Sequence, residues 1–373
     1  MVVVMRVQIV DPSAFTPPYD HALCTALARA GAEVELITSS FAYGAVPQPD
    51  GYLVRKPFYR HARGVPGSRV RLTAKLAEHV PDMIRYRSAA ERGADLVHFQ
   101  WFTLPWLDSL LLPRRRPVVL TAHDLLPREP RPGQAWAQRR CYEAVDALVV
   151  HSGYGRRRLV EALDVDPARV HVIHHGAFMH LTRQLGEAPL PRELARVEGP
   201  VVLFFGLLRP YKGIEVLLEA WRGVPGAELW IVGRPRMALE RLRALAPPGV
   251  RFVPRFIPDE ELPAYFRRAD LVVLPYTRTE RFDQSGVLAT ALAFGRPAVL
   301  SDIGGFAEVA ATGAARLVAP DDAKALRHTL QALISDRRAR EVMAAAAHVA
   351  AAGPYSWEEA AAGTLALYRK LVG

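Results

Sequence analysis

The chain has 373 residues, of which 50% are hydrophobic and 23% are charged, a balance typical of a folded globular protein rather than a disordered one. Its two cysteines, Cys24 and Cys141, exclude a disulfide framework and a cysteine metal site, so we expect a reducing, cytoplasmic location. The net charge of +10 is compatible with a nucleic-acid partner, but the arginines are spread and no recognition motif accompanies them, so we expect none.

Short apolar strands alternate with helical patterns through the first half of the chain. Residues 1–10 lack the order of a signal peptide, and no apolar run approaches the ~20 residues of a spanning helix. We predict helices at 20–30 and 69–86 and strands at 2–10, Glu33–Thr38, Leu96–Phe99, 118–122, Ala147–Val150 and 170–174. This alternation predicts a parallel sheet with helices on both faces, which binds ligands at the carboxyl ends of its strands.

Polar and aromatic side chains follow several of these strands, at the positions where a sugar acceptor would bind. Tyr19 and Asp20 come after the proline-rich loop of the first strand, Trp101 follows the strand at 96–99, and His123 follows the strand at 118–122. The aromatic rings suit a core equally well, and Asp20 also suits a helix N-cap. A histidine after a strand is often structural, and Asp124 is placed to orient the ring of His123.

A basic segment occupies residues 55–92, where ten Lys or Arg stand against three acids, a net charge of +7. Apolar residues are interspersed along the helix predicted within it. A basic amphipathic helix can lie on anionic lipid, which would make the protein peripheral to a membrane. The alternative is a solvated helix over the sheet, and composition favours that alternative.

The second half begins after a proline- and charge-rich stretch. We therefore predict an N-terminal domain at 1–182, a linker at 183–200, a second domain at 201–354 and a final helix at 355–373. The second domain opens with the strand Val201–Phe205 and a glycine turn that carries Arg209 and Lys212. Further strands are predicted at 229–232, 271–275 and Ala298–Ser301, with a helix at 287–294.

The stretch 279–309 combines a strand end, a polar loop, a helix, a second strand and a Gly-Gly turn. Gln284, Ser285 and Gly286 stand where the helix begins, so unpaired N–H groups and the positive end of its dipole face any ligand there. A phosphate or diphosphate fits such a position. The simpler interpretation is that Ser285 is only an N-cap and Gly295 only a C-cap.

The order of these pieces resembles the donor-binding segment of the retaining glycosyltransferases of family 4, which have the GT-B fold. Residues 291–297, Ala-Leu-Ala-Phe-Gly-Arg-Pro, match the later part of that motif. Thr290 replaces the family Glu that holds the ribose, and Phe282 replaces the Glu that holds the donor sugar. Asp283 or Glu280 could replace that second Glu only with a local shift of the alignment. A Gln-Ser-Gly-Val loop is a variant associated with the same family.

This resemblance implies two Rossmann-like α/β domains facing each other across a cleft, with a C-terminal helix that crosses back to the N-terminal domain. It also implies roles for individual residues: His123 near the donor sugar, Arg209 and Lys212 as a clamp on the donor diphosphate, and Arg255 and Ile257 against the nucleobase. The remaining donor-binding positions that it implies are Asp283, Gln284, Ser285, Gly286, Val287 and Thr290. Tyr19, Asp20, Trp101 and His123 are the predicted acceptor-binding residues.

The implied reaction is metal-independent, retaining transfer of a hexose from a nucleoside diphosphate sugar to a hydroxyl, without a cofactor. A UDP-sugar is favoured and a GDP-sugar is also compatible, while the acceptor can be a sugar, a cyclitol, a lipid-linked glycan or a natural product. The missing carboxylates leave a catalytically weak nucleotide-sugar-binding protein as an alternative. A nicotinamide-dependent oxidoreductase is a remote alternative, because no Gly-x-Gly-x-x-Gly follows the first strand. The sequence leaves the oligomeric state open.

Overall fold

The computed structural model describes residues 4–62, 64–65, 67–126, 132–183 and 188–373, and it divides into two compact units. The first unit runs to His174 and includes Arg281–Asp283 and Trp357–Gly373. The second unit comprises His175–Glu280 and Gln284–Ser356. Each unit is built on its own parallel sheet, as the alternating pattern predicts.

The first unit contains a seven-stranded sheet in the order β3-β2-β1-β4-β5-β6-β7. Its strands are β1 Arg6–Asp11, β2 Glu33–Thr38, β3 Leu53–Arg55, β4 Leu96–Phe99, β5 Val118–Thr121, β6 Ala147–Val150 and β7 Val170–Val172. Every residue of β4, β5 and β6 is buried, because helices cover both faces of a parallel sheet. Neighbouring strands pair in parallel, so their carboxyl ends meet at one edge of the sheet.

The helices of the first unit are α1 Pro17–Arg29, α2 Arg69–Gly93, α3 Pro105–Asp108, α4 Gln134–Glu143, α5 Gly153–Leu163 and the C-terminal helix Trp357–Val372. The C-terminal helix packs against α1. The hydroxyl of Tyr368 on this helix is hydrogen-bonded to His98 Nδ1 at 2.6 Å, and His98 Nε2 is 2.8 Å from Thr121 Oγ1. Burial lowers the pKa of His98 to about 3, so its ring is neutral in these bonds. The last helix therefore belongs to the first unit, as the resemblance implies.

Two helices of the first unit differ from their predicted bounds. The loop expected before Asp20 is already helical, because α1 begins at Pro17 and proline is favourable at the first helical position. Asp20 therefore lies inside the first turn, and the N-cap position belongs to Thr16. Helix α2 extends beyond residue 86 to Gly93 despite Pro81 in its interior, and Ser68 caps its start by accepting a hydrogen bond from Arg71 N.

The second unit contains a six-stranded parallel sheet in the order β10-β9-β8-β11-β12-β13. Its strands are β8 Val201–Phe205, β9 Glu228–Val232, β10 Val250–Val253, β11 Leu271–Leu274, β12 Ala298–Ser301 and β13 Ala315–Val318. Its helices are α6 Arg192–Ala195, α7 Ile214–Trp221, α8 Glu240–Leu245, α9 Leu262–Arg268, α10 Gly286–Ala293, α11 Phe306–Ala311, α12 Ala323–Ser335 and α13 Arg337–Ala352. Strand β10 ends at Val253, and the residues that follow it form a loop.

The structure divides the chain before the predicted linker at 183–200. The second unit begins at His175, and the 3-10 helix Met179–Arg183 packs against α9 and α10 of that unit. Ala188 N donates to Glu260 O at 3.0 Å, which holds part of the predicted linker on the same unit. Residues 184–187 lie outside the described part of the chain. In the described residues, no helix has both the length and the apolar character needed to cross a bilayer.

Candidate active site

Three polar side chains meet at the carboxyl edge of the first sheet. Gln100, His123 and His151 follow the adjacent strands β4, β5 and β6. His123 Nδ1 is 3.2 Å from His151 Nε2, and His123 Nε2 is 3.2 Å from Gln100 Oε1. His151 Nδ1 is 3.0 Å from the carbonyl oxygen of Ile173 just beyond β7. The edge therefore holds one chain of hydrogen bonds that runs across four strands.

Two of the predicted acceptor-binding residues pack against His123. The ring of Trp101 stacks on the imidazole at 4.9 Å with an interplanar angle of 14°, and Tyr19 meets it edge-on at 4.7 Å. Trp101 Nε1 donates to Thr16 Oγ1 at 2.9 Å. Tyr19 also contacts Trp357 of the C-terminal helix, at 5.0 Å between ring centroids. The structure thus brings Tyr19, Trp101 and His123 together, with the imidazole fixed on two sides.

Asp20 forms a buried pair with Asp11. The carboxylate of Asp11 accepts hydrogen bonds from Phe15 N at 2.5 Å and from Thr16 N at 3.1 Å. Burial raises the pKa of Asp20 well above its usual value, and the nearby charge of Asp11 raises it further. Both effects favour the protonated form of Asp20, which is hydrogen-bonded to Asp11. Its role as an acceptor ligand stays a prediction.

Asp283 is fully buried within the first unit. His151 N donates to its Oδ2 at 2.7 Å, and the hydroxyl of Ser152 donates to its Oδ1. Ser152 also caps α5 by accepting from Gly155 N at 2.9 Å, so the carboxylate lies at the positive end of that helix. A Cβ at Gly155 would lie 2.9 Å from Asp283 Oδ2, which shows how closely the carboxylate is packed.

The residues that precede Asp283 have different environments. Phe282 is buried and forms an antiparallel bridge with Asp124, and Leu125 N donates to Arg281 O at 3.2 Å. Glu280 belongs to the second unit. Both oxygens of Asp283 accept hydrogen bonds from the protein, so its predicted role as a ligand of the donor sugar stays a prediction in competition with this structural role.

The glycine turn after β8 places the two predicted diphosphate-binding cations in the second unit. Lys212 is buried, and its Nζ lies 5.4 Å from the ring centroid of Tyr276. A Cβ at Gly206 would lie 2.9 Å from that Nζ, so the absence of a side chain there makes room for the ammonium group. Arg209 is half-buried at the start of the 3-10 helix Pro210–Lys212. Arg209 and Lys212 therefore lie on one short turn at the carboxyl end of β8.

The start of α10 differs from a simple capped helix. Ser285 occupies the N-cap position, but its side chain makes no cap hydrogen bond and lies 3.2 Å from the hydroxyl of Tyr276. Ser285 N donates to Gln284 Oε1 at 3.0 Å. Thr290 Oγ1 donates to Gly286 O at 2.9 Å within the helix, so its hydroxyl can only accept from a ribose. This restricts the single hydroxyl that the predicted alignment offers in place of the family carboxylate.

The predicted nucleobase wall lies in the loop after β10. Ile257 is buried, whereas Arg255 is exposed and forms a bidentate ion pair with Glu261, with Nη1 to Oε1 at 2.9 Å. The exposed aromatic ring between them belongs to Phe256, the middle residue of the predicted wall. Its exposure beside a predicted base-binding position is a signal that the apolar pattern alone does not supply.

Comparisons with known proteins identify the family of this chain. Residues 199–336 match the family model for glycosyl transferases group 1, and residues 19–177 match that for glycosyltransferase family 4. A D-inositol 3-phosphate glycosyltransferase of Mycobacterium bovis (strain BCG / Pasteur 1173P2) is 30% identical over 386 residues, which cover 93% of this chain and 77% of the relative. The chain belongs to the family 4 glycosyltransferases. Glycosyltransferase activity is therefore supported, and these matches do not support the oxidoreductase alternative.

Solved structures confirm the predicted GT-B fold of this glycosyltransferase. Sucrose-phosphate synthase from Thermosynechococcus elongatus has a TM-score of 0.75 at 20% identity, with 98% of this chain and 99% of that chain covered. Anabaena Alr3699/HepE in complex with UDP has a TM-score of 0.73 at 18% identity, with 98% and 100% covered. At these identities the likeness establishes the fold alone.

His151 was recognisable in the sequence only as a polar residue after a strand, and no role was assigned to it. His151 follows β6 as His123 follows β5, and the same strand-end rule points to both positions. The link between His151 and His123 depends on the order of the strands in the sheet, which places β5 beside β6. Asp283 was singled out, but its burial against Ser152 was not anticipated.

Proposed function

We propose that this glycosyltransferase moves a hexose from a UDP-sugar to an acceptor hydroxyl with retention of configuration and without a metal ion. The observation that supports the donor site best is the turn after β8, where the buried Lys212 and the half-buried Arg209 lie together. Cations held in a desolvated turn stabilise the charge that develops on a leaving diphosphate. The crystallised relative with bound UDP-glucose makes UDP the first nucleotide to test.

In the proposed reaction the leaving diphosphate departs toward Arg209 and Lys212, and the acceptor attacks the face from which it departs. A phosphate oxygen of the donor takes the acceptor proton, so no protein base is needed. His123 faces the donor hexose, while Tyr19 and Trp101 support its ring. Gln284–Val287 at the start of α10 supply backbone N–H groups to the diphosphate.

The test measures transfer from UDP-hexoses by Lys212→Ala, Arg209→Ala and the double variant. We expect each single variant to lose on the order of 10²-fold in kcat, because a charge-stabilising group is removed. Arg222→Ala, which removes a cation from the same unit outside the turn, is the matched control. Unchanged turnover in all three turn variants would disprove the donor site, and loss of activity in EDTA with recovery in Mg²⁺ would disprove metal independence. Detectable transfer would also exclude the alternative of a nucleotide-sugar-binding protein without turnover.

We also propose that α2 contacts an anionic membrane surface. Its side chains Val70, Leu72, Leu76 and Ile84 are exposed although they are apolar, and the surrounding segment 55–92 carries a net charge of +7. Exposed apolar residues among cations are typical of helices that lie at a lipid interface. A positively charged segment is attracted to anionic lipid and is not attracted to a neutral lipid surface.

Sedimentation with vesicles tests this contact. We expect the protein to bind phosphatidylglycerol vesicles, to bind phosphatidylcholine vesicles less, and to lose binding in the double variant Leu72→Ser/Leu76→Ser. The variant Val342→Ser/Val349→Ser removes exposed apolar residues from α13 in the second unit and is the control. Equal binding by both double variants, or none by the wild type, would show that α2 is a solvated helix.

A further inference from the structure

The hydrogen bonds around His123 and His151 have a direction that fixes where their protons lie. Ile173 contributes a backbone carbonyl oxygen, which can only accept. His151 Nδ1 must therefore carry the proton of that bond. In a neutral imidazole the other nitrogen then has no proton, so His151 Nε2 is an acceptor.

The acceptor role of His151 Nε2 determines which nitrogen of His123 carries the proton. His151 Nε2 lies 3.2 Å from His123 Nδ1, and because the first atom accepts, the second must donate. The proton of a neutral His123 consequently resides on Nδ1. Its Nε2 is left with a lone pair that accepts hydrogen bonds.

Gln100 completes the chain in the same direction. Its Oε1 is placed 3.2 Å from His123 Nε2, which would set two acceptors against each other. Its Nε2 is buried without a hydrogen-bond partner among the described residues. Turning the amide end for end brings this N–H group to His123 Nε2 and satisfies both atoms at once. The unsatisfied amide thus independently supports the direction required by Ile173.

The position of His151 is fixed by groups other than its own ring nitrogens. Its backbone N–H donates to Asp283, and its backbone oxygen is 3.1 Å from His174 Nδ1. Tyr19 packs against both imidazoles, at 5.5 Å from the ring of His151 and 4.7 Å from that of His123. A ring held in this way presents its nitrogens at fixed places.

We propose that His151 is a positioning residue that fixes His123 as the tautomer with the proton on Nδ1. Gln100 then donates to the single lone pair of His123 Nε2, and the imidazole is held in one orientation toward the donor hexose. This inference rests on the proposed function only for the presence of a donor hexose beside His123. Asp283 acts through His151 by holding its backbone in place. The device needs no net proton transfer, since each group in the chain keeps its own proton.

Nitrogen-15 NMR of the imidazole groups tests the tautomer in the wild-type protein with histidines labelled. We expect His123 to show a protonated Nδ1 and a bare Nε2. In His151→Phe, which keeps a ring against Tyr19 but removes the acceptor, we expect this preference to be lost. In His151→Gln, whose Oε1 can take the place of Nε2, we expect it to be retained.

Transfer kinetics provide the second readout. His151→Phe should lower kcat about 10- to 100-fold, the range seen when an outer partner of a functional histidine is removed, with little change in the affinity for UDP. His151→Gln should recover much of the loss. His79→Phe is the control for stability alone, because His79 is a buried histidine of the first unit bonded to Tyr59 and Asp108 and lies outside the chain. It should leave the signal of His123 unchanged.

A proton on His123 Nε2 in the wild type would overturn the proposal, and so would an unchanged tautomer in His151→Phe. Equal loss of kcat in the Phe and Gln variants would also contradict it. If no UDP-hexose is used at all, the proposed function fails, whereas the NMR result still decides the tautomer. The two failures are therefore distinguishable.

Discussion

The buried pair Asp11 and Asp20 makes the stability of the first unit depend on pH. Burial raises the pKa of Asp20, so the folded protein keeps a proton that the unfolded chain releases above about pH 4. The contribution of this group is therefore fully present below that pH and is lost as the pH rises toward the folded pKa. The limiting slope is about 1.4 kcal/mol per pH unit.

We expect Asp20→Asn to reduce this slope, since an amide cannot ionise and can still donate to Asp11. Urea unfolding at pH 5, 6, 7 and 8 measures the free energy of unfolding of both proteins. The free energy of unfolding of the variant should rise relative to that of the wild type as the pH rises. Parallel curves would mean that Asp20 is ionised in the folded state.

Gly213 next to Lys212 has a backbone that only glycine can supply. It has φ +68°, and a Cβ there would lie 1.8 Å from Pro275 O. Gly226 has nearly the same φ, +72°, but nothing lies within 4 Å of its Cβ position. Substitutions at the two positions therefore measure two energies separately: the strain of a left-handed backbone at Gly226, and that strain plus the steric overlap with Pro275 at Gly213.

We expect Gly226→Ala to cost roughly 1–2 kcal/mol of unfolding free energy, the cost of a left-handed residue with a side chain. Gly213→Ala should cost more and should also abolish transfer, because the turn that positions Lys212 must move. Denaturant unfolding and activity of both variants check this expectation. If both variants lose the same free energy of unfolding, the backbone at Pro275 moves away from the new Cβ at no cost.

The segment 281–283 illustrates what the sequence could and could not predict. The strands β4, β5 and β6 were predicted because full burial makes them continuous apolar runs. The carboxylate of Asp283, in contrast, depends on Ser152, a partner 131 residues away in the chain. No local pattern encodes such a contact, so the sequence offered Asp283 only as a substitute for a missing family Glu.

The same segment separates two roles for Asp283. If its carboxylate anchors the segment, Asp283→Asn should lower the free energy of unfolding by roughly 1.5–3 kcal/mol, the worth of hydrogen bonds to a charged group. Thr290→Val, which removes one neutral hydrogen bond, should cost about 1 kcal/mol. Thermal and urea unfolding measure both. A variant Asp283→Asn of normal stability with weakened hexose binding would instead support the sugar-binding role.

At the scale of the whole molecule, each domain was predictable and the boundary between them was not. Alternating strands and helices specify a parallel sheet, whereas the residues after His174 carry no periodic pattern that assigns them to either unit. The start of α1 was missed for a related reason, since two prolines that suggest a loop also suit the first helical turn.

The bond between Tyr368 and His98 gives a test of how the C-terminal helix contributes to the molecule. Tyr368→Phe leaves a buried imidazole nitrogen without its partner, which should cost about 1–3 kcal/mol. Calorimetry should show the loss in the unfolding transition of the first unit, while UDP should still raise the transition of the second. Tyr43→Phe, at an exposed tyrosine of the first unit, is the control. A uniform shift of all transitions would indicate that the two units unfold together.

The position of the C-terminal helix has a consequence for synthesis of the protein on the ribosome. The first unit is interrupted in the chain, because residues 175–280 and 284–356 are translated before the helix that packs on α1. Until that helix emerges, Tyr19 and His98 lack Trp357 and Tyr368, their contacts on it. Contacts of such long sequence separation form slowly, so the domain that is translated first is the one completed last.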